Sequence, residues 1–354
     1  MEQTAVEKKF GKYVMASMIT MFLQSAYSMI DGLFVSNLIG DTALSAVNVA
    51  WPIIAVVTAI GTGVGCGGAV MMSTKQGEGK NEESNIVRAN VILALLASSI
   101  VVTILFIILL TPLLKLMGAE GELLRLSQIY GRVMLTGGVL QILSCGLTPL
   151  LRNDNRAVSA MMIMVGGLFA NLGLDFVFMY VFHMGIGGAA GASLCAQLFT
   201  TLCCLIILGT KKTDSIRLSQ FMIRKEYWKK IFKTAVSPFG ISLTPSLFIL
   251  YHNVACLKFG GDLAVNAYAL ISSTVGSYRV LLIGVAEGIQ PLASYAYGAH
   301  DFHAIRKIRN KAVITAMGVS FFLFIFTIAT ARFYPAIYGY EGEAAELGYH
   351  AVMV

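Results

Sequence analysis

Two stretches of this sequence, 221 residues apart, share a glycine pattern. Gly63-Val-Gly-Cys-Gly-Gly-Ala-Val-Met-Met-Ser-Thr-Lys-Gln-Gly77 returns as Gly284-Val-Ala-Glu-Gly-Ile-Gln-Pro-Leu-Ala-Ser-Tyr-Ala-Tyr-Gly298. The same offset, without gaps, relates five further pairs: Gly40 and Gly261, Asp41 and Asp262, Ala43 and Ala264, Ala46 and Ala267, and Arg88 and Arg309. A repeat with so long a period predicts a chain built from two related halves.

The composition predicts a membrane protein. Of the 354 residues, 56% are hydrophobic and only 13% are charged, and the mean hydropathy is +0.74. A chain of this kind has too little polar surface to fold in water. Apolar runs long enough to cross a bilayer, which takes about 20 helical residues, lie near residues 13–36, 46–72, 87–111, 127–150, 158–182, 188–209, 230–257, 264–290 and 311–334.

The basic residues lie mostly on one side of these runs. They precede the first run or fill the loops that follow each even-numbered run: Lys8, Lys9, Lys12, Lys75, Lys80, Arg88, Arg152, Arg156, Lys211, Lys212, Arg217, Arg224, Lys225, Lys229, Lys230, Lys233, Arg306, Lys307, Arg309 and Lys311. The positive-inside rule therefore predicts a multi-pass protein of the inner (cytoplasmic) membrane with a cytoplasmic N-terminus. The net charge of +7 by itself would suggest a nucleic-acid partner, but the sorting of the basic residues to one side predicts membrane lipid as the partner and no nucleic acid.

The repeat predicts the architecture. The offset of 221 residues aligns the second run with the eighth, so one repeat contains six crossings and both copies have the same orientation, which is a parallel repeat. We therefore expect an all-α polytopic membrane protein of two six-helix bundles: an N-terminal bundle at 1–210, a cytoplasmic linker at 211–229 and a partial C-terminal bundle at 230–354. The second bundle should be truncated after three to four helices, with helices 7 to 9 and the start of a tenth.

Several motifs resemble one transporter family. Gln24-Ser-Ala-Tyr-Ser-Met-Ile-Asp-Gly-Leu-Phe-Val-Ser36 resembles the first helix of the multidrug and toxic compound extrusion (MATE) family. Three later segments are also similar: Leu151-Arg-Asn-Asp154, Asn171-Leu-Gly-Leu-Asp-Phe-Val-Phe178, and Glu287-Gly-Ile-Gln-Pro291 continuing to Tyr297-Gly-Ala299. The resemblance covers nearly the whole chain and is strongest to the MepA-like bacterial branch.

This resemblance implies two six-helix bundles around a central cavity. It also implies export of drugs or metabolites driven by inward movement of Na⁺ or H⁺. The sequence departs from the family in two places. It has Ala16-Ser17 where the family commonly has a proline, which puts a proline kink in doubt. It also ends before the part that completes the second bundle, as either a fragment or a natural truncation would, and without that part transport is not expected.

One polar stripe lies in the first apolar run. Asp31 follows Gln24, Tyr27 and Ser28 at helical spacing, so their side chains share a face that must contact protein or water. An ionisable group at membrane depth costs at least ~2.5 kcal/mol on a lone helix. We predict that these four residues line the substrate cavity, while a structural hydrogen bond is the alternative role for Asp31.

A second acid lies in the fifth run. Asn171 stands one helical turn before Asp175, so the two share a face. Asp31, Asn171 and Asp175 form the predicted Na⁺ or H⁺ coupling site, and Asp175 is also assigned to the substrate cavity. Competition between ion and substrate for such carboxylates would couple their opposite movements. For Asp175 too, a structural hydrogen bond is the alternative.

The eighth run adds charge to one half only. Arg279 and Glu287 correspond by the repeat to Thr58 and Cys66, so the shared frame does not require charge there. For Arg279, Glu287 and Gln290 we predict a role in gating or in admitting substrate from the cytoplasm. A structural ion pair across the bundle interface is equally compatible with the pattern.

The leading function is a secondary active antiporter that exports cationic or amphipathic compounds. The rival within the superfamily is a lipid-linked oligosaccharide or polysaccharide flippase, which needs a cationic cavity that Arg279 alone offers. An intramembrane enzyme is less favoured because the sequence has no paired aspartates or nucleophile motif. We therefore expect no catalytic residues, no cofactor and no certain metal site, with small organic cations as substrates and a monomeric protein.

Overall fold

The computed structural model describes residues 3–209 and 220–331, which contain helices and no strands. The helices are α1 (Gln3–Ile39), α2 (Asp41–Gly77), α3 (Asn81–Leu116), α4 (Gly121–Thr136), α5 (Gly138–Asn153), α6 (Ala157–Asp175), a π-helical segment (Phe176–Val181), α7 (Gly185–Gly209), α8 (Lys225–Gly298) and α9 (Phe302–Thr330). The predicted all-α class is confirmed.

The predicted apolar runs correspond to long helices. Within the described ranges, α1, α2, α3, α6 with its π-helical segment, α7 and α9 are each long and apolar enough to cross a bilayer. The run predicted at 127–150 differs, since it consists of two helices, α4 and α5, that meet at 57°. Gly137 lies at this bend, and a Cβ there would stand 2.2 Å from Leu194 Cδ2, so the bend brings the chain against α7.

Helix α8 contains the two remaining predicted runs, and it is not straight. The rings of His252 and Tyr268 stack with centroids 5.1 Å apart, whereas 16 residues of straight helix would separate them by about 24 Å. The chain therefore turns back between these residues. We call residues 225–252 the first limb of α8 and residues 268–298 the second limb, and they match the runs predicted at 230–257 and 264–290.

Helix α2 packs closely against several helices because its glycines admit their backbones. A Cβ at Gly61 would lie 2.8 Å from the carbonyl oxygen of Ile142, and one at Gly65 would lie 2.4 Å from Gly146 Cα. Both contacts are with α5. Small residues permit such close approach of helices inside membranes, so this glycine run serves packing.

The repeat is visible in the contacts between the halves. Gly67 of α2 meets Ala235 in the first limb of α8, at 2.7 Å from a Cβ position to the backbone nitrogen. Gly288 in the second limb meets Val14 of α1, at 2.6 Å to its Cα. These pairs are related by the offset of 221 residues, so each half packs one helix against the other half in the same way.

The axis of this relation passes between α2 and the second limb of α8. A Cβ at Gly77 would lie 2.1 Å from the carbonyl oxygen of Tyr295, and one at Gly298 would lie 2.0 Å from that of Thr74. These contacts are each other's image under the repeat. The predicted parallel arrangement of two related halves is therefore confirmed.

Some sequence expectations fall outside the described residues. Residues 210–219, which include the first part of the predicted linker, and residues 332–354, which include the predicted start of a tenth helix, lie outside them. The domain bounds therefore remain predictions.

The crossing of α2 and α8 can be tested by adding one methyl group. Gly77→Ala should destabilise the protein by about 1–3 kcal/mol, because the new Cβ meets a backbone carbonyl that cannot move aside. Gly240→Ala, on the first limb of α8 where a Cβ meets nothing within 4 Å, is the control. Thermal unfolding in detergent measures both, and equal midpoints for the two variants would contradict the close crossing.

Candidate functional site

Two acidic side chains from separate helices meet in the first half. Asp31 of α1 and Asp175, the last residue of α6, come within hydrogen-bonding distance of each other. Asp175 is fully buried. Within the described residues, the Oδ1 atoms of both carboxyls are buried without a hydrogen-bond donor. Two buried carboxylates so close repel each other unless a proton or a cation lies between them.

An ordered chain of hydrogen bonds holds this acidic pair. Tyr27 donates its hydroxyl to Asn171 Oδ1, and Asn171 Nδ2 donates to Asp175 Oδ2 at 2.9 Å. The Tyr27 hydroxyl also lies within hydrogen-bonding distance of Asp31. The predicted face-sharing of Asn171 with Asp175 is thus found as a direct bond, and Tyr27 links α1 to α6.

Two residues near the acidic pair were not singled out in the sequence. Ser193 of α7 lies within hydrogen-bonding distance of Tyr27, and Tyr130 of α4, 5% exposed, lies close enough to both carboxyls to interact with their charge. They come from helices distant in sequence from α1 and α6. No motif at either position marks them, since only the packing of α4 and α7 in the folded bundle brings them near α1 and α6.

The other predicted cavity residues are placed differently. Gln24 is exposed and lies about 10 Å from Asp31 along α1, so it does not belong to the bonded group. The side chain of Ser28 lies outside the described residues. The acidic pair with Tyr27 and Asn171 is thus the compact part of the predicted site.

Two of the three predicted gating residues lie together and the third lies apart. Glu287 accepts a hydrogen bond from Arg152 Nη1 at 2.5 Å, and Gln290 accepts one from Asn153 Nδ2 at 2.8 Å. Arg279 is exposed and lies about 12 Å from Glu287 along α8. The structure therefore joins Glu287 and Gln290 to the end of α5, and it leaves Arg279 apart.

A second ion pair is buried beside this contact. Arg88 Nη2 and Asp154 Oδ1 are 2.9 Å apart, with side chains 1% and 0% exposed. Gln76 Nε2 donates to the same carboxylate oxygen at 3.3 Å. The ion pair from α3 and the Gln76 hydrogen bond from α2 both hold the turn after α5, so they fix the position of residues 151–154.

The loops that carry most of the basic residues meet around this ion pair. We call this end of the helices the basic end. Here Tyr13 of α1 donates to Asn155 Oδ1 at 2.8 Å, and the backbone nitrogen of Arg224 donates to Asn90 Oδ1 at 3.0 Å. In the turn after α2, hydrogen bonds from Lys75 and Lys80 lower the pKa of the Glu78 carboxyl.

A cavity of about 470 Å³ opens between the halves at the basic end. Its lining combines polar side chains with apolar ones and one lysine: Lys9, Tyr13, Ser73, Gln76, Asn153, Asn155, Pro291, Leu292, Tyr295, Ala296, Ala299, Asp301, Ala304 and Ile308. Asn153 of α5 and Pro291 of α8 are thus part of its wall. Across the described ranges, no cluster of three or more His, Cys, Asp or Glu side chains could hold a metal ion.

These features define a class of protein. Membrane-crossing helices in two parallel, related halves, with polar groups placed between helices at membrane depth, are typical of secondary transporters. The MatE family model matches residues 16–177 and 240–354, and the chain belongs to this family. The resemblance seen in the sequence motifs is confirmed.

Known relatives cover nearly the whole chain. The multidrug export protein MepA of Staphylococcus saprophyticus subsp. saprophyticus is 24% identical over 355 residues, covering 100% of this chain and 78% of the relative. MepA of Staphylococcus aureus strain N315 is 25% identical over 335 residues, covering 93% of this chain and 72% of the relative.

Solved structures share the fold. A MATE protein crystallised in complex with MaL6 matches with a TM-score of 0.91 at 24% identity, covering 98% of this chain and 77% of that one. A MOP superfamily transporter from Pyrococcus furiosus, whose binding pocket is described as having reverse polarity, also matches with a TM-score of 0.91 at 24% identity, with the same coverage. This multi-pass membrane protein therefore has the fold of those transporters.

The buried ion pair at the basic end yields a stability prediction. Asp154→Ala should destabilise the protein by about 3–5 kcal/mol, because it leaves the Arg88 guanidinium buried without its carboxylate. The control is Glu122→Ala, which breaks the exposed pair with Arg125 at 2.6 Å and should cost less than about 1 kcal/mol. Thermal unfolding in detergent measures the difference, and similar losses in both variants would contradict it.

Proposed function

We propose that this protein is a secondary active antiporter that exports cationic or amphipathic compounds, driven by inward movement of Na⁺ or H⁺. The observation that carries the proposal is the acidic pair, in which Asp31 and Asp175 face each other with buried oxygens that lack a donor. The names of the MepA relatives, multidrug export proteins, support the same function.

The acidic pair has the chemistry of a coupling site. A proton shared between the two carboxyls, or a Na⁺ ion bound to carboxylate and amide oxygens, would remove their repulsion. Asn171, bonded to Asp175, supplies the amide, and Tyr27 keeps the group in place. We therefore assign the coupling ion to Asp31, Asn171 and Asp175.

Coupling follows if the substrate competes for these carboxylates. A cationic compound that binds near Asp31 lowers the affinity for the ion, and ion binding in turn lowers the affinity for the compound, because linkage is reciprocal. One site with two exclusive occupants moves them in opposite directions. We place the substrate cavity along Gln24, Tyr27, Ser28 and Asp31, with Asp175 behind them.

The basic end indicates how the protein is oriented in the membrane. Cytoplasmic loops are enriched in Lys and Arg, so we propose that the basic end and the N-terminus face the cytoplasm. In this orientation the structure is closed toward the cytoplasm by contacts between α1, α2 and α8. The acidic pair lies in the opposite half of the membrane, where the driving ion arrives.

The decisive experiment is transport by the purified full-length protein in liposomes. Na⁺ and pH gradients are imposed separately, and efflux of a fluorescent organic cation is followed. We expect that one of the two gradients drives efflux and that efflux stops when both gradients are absent. Movement of a lipid-linked sugar without any response of the cation would overturn the proposal in favour of a flippase.

The acidic pair can be tested with isosteric variants. Asp31→Asn and Asp175→Asn should each reduce gradient-driven efflux to background, because a neutral amide can neither release a proton nor attract Na⁺. The shape and hydrogen bonds of the site are largely retained, so thermal unfolding should show folded protein. Glu82→Gln, an exposed acid at the basic end, is the control and should transport normally. Full activity in both aspartate variants would contradict the assignment.

A further inference from the structure

We propose that Arg152, Asn153, Glu287 and Gln290 form a polar lock that closes the basic end, and that each transport cycle opens and closes this lock. The inference rests on the proposed function and adds residues that belong to neither the ion site nor the substrate cavity. Arg152 and Asn153 were not among the gating residues predicted from the sequence.

The lock joins the two halves at two adjacent points. Arg152 and Asn153 end α5 in the first half, and Glu287 and Gln290 lie one turn apart on the second limb of α8. The Arg152 to Glu287 contact is 2.5 Å, and Asn153 Nδ2 to Gln290 Oε1 is 2.8 Å, with a longer return contact of 3.4 Å. Successive residues on one side thus bind successive turns on the other.

The lock also contacts α1. Arg152 Nη1 lies 3.3 Å from the hydroxyl of Ser17, which is buried. Ser17 is part of the Ala16-Ser17 pair that stands near the position where the family commonly has a proline. Arg152 therefore connects α5 and α1 of the first half to the second limb of α8, which must move away from both if the halves part at this end.

The contacts around the lock are of mixed character. Gly77 and Gly298 meet backbone to backbone, and Ser73 donates to the carbonyl oxygen of Pro291 at 3.1 Å. A small apolar cluster joins α1 to the second limb of α8 beside them. The polar groups of the lock become hydrated when they separate, which suits a contact that is made and broken repeatedly.

The lock residues of α8 have no counterpart at the corresponding positions of the first half. Glu287 and Gln290 correspond to Cys66 and Ala69 of α2, which offer neither a carboxylate nor an amide. The close glycine packing recurs in both halves, whereas the acid and the amide do not. The lock is therefore an addition to the shared scaffold and is not needed for the crossing itself.

The lock lies between the acidic pair and the cavity at the basic end. Along α1, Ser17 lies about 21 Å from Asp31, so the lock and the acidic pair are in opposite halves of the membrane. On the other side, Asn153 and Pro291 line the cavity of about 470 Å³. When the lock opens, this cavity becomes continuous with the interior between the halves.

Hydrogen–deuterium exchange tests the lock independently of transport. In full-length protein in nanodiscs, exchange is followed in peptides covering 149–156 and 284–298. Glu287→Gln and Arg152→Gln should each raise the exchange rate of both peptides at least about fivefold. The double variant should show less than the product of the two effects, because both substitutions remove the same interaction. Arg125→Gln, which breaks an exposed ion pair, should leave these peptides unchanged.

Transport by the same variants completes the test. The proposal expects faster opening at the basic end together with reduced gradient-driven efflux. Unchanged exchange in both single variants, or multiplicative effects in the double variant, would show that the residues do not act as one lock. Faster exchange with normal efflux would show that the cycle does not use it. If the unsubstituted protein transports no cation under any gradient, the proposed function fails, whereas the exchange results still decide whether the lock exists.

Discussion

The structure depends on how closely α2 and the second limb of α8 approach each other. At Gly77 and Gly298 the backbones of the two halves touch, and a single added methyl group would collide with a carbonyl oxygen on the other side. Lipid supplies little hydrophobic force to push helices together, so association inside a membrane relies on such close contacts and on polar bonds. The same glycine spacing lets α2 pack against α5, and the first half is built around it.

The positions of the polar groups around this apolar scaffold follow from the free-energy cost of placing charge inside the membrane. Charges inside the membrane are rare because each must find a partner or a functional purpose. Arg88 and Asp154 satisfy each other in a buried ion pair at the basic end, and Arg152 and Glu287 do so across the halves. Asp31 and Asp175 are different, since they place two acids together. Two carboxylates side by side raise the free energy of the fold unless a proton or a cation lies between them. This cost makes the acidic pair a candidate for function, whereas the two ion pairs serve structure or gating.

Most of the fold, and the family, could be predicted from the linear sequence. The prediction rested on the glycine repeat, the order of the apolar runs and the motifs of α1 and α6. Helix periodicity also placed Asn171 beside Asp175. The bend between α4 and α5 was missed, because an apolar run of normal length conceals a break at Gly137, where the chain lies against Leu194 of α7. For Glu287 the sequence allowed an ion pair across the bundle interface but did not identify its partner, since Arg152 lies 135 residues away.

By itself, the sequence determined that the chain crosses the membrane repeatedly in two parallel, related halves, because hydropathy and a repeat offset are properties of the chain read in order. It also determined which few ionisable residues stand at membrane depth. Only the tertiary structure decided which of them meet. Asp31 reaches Asp175 and Arg152 reaches Glu287 through contacts between helices far apart in sequence. Such contacts depend on how glycine-lined helices pack and rotate against one another, which no spacing along the chain specifies.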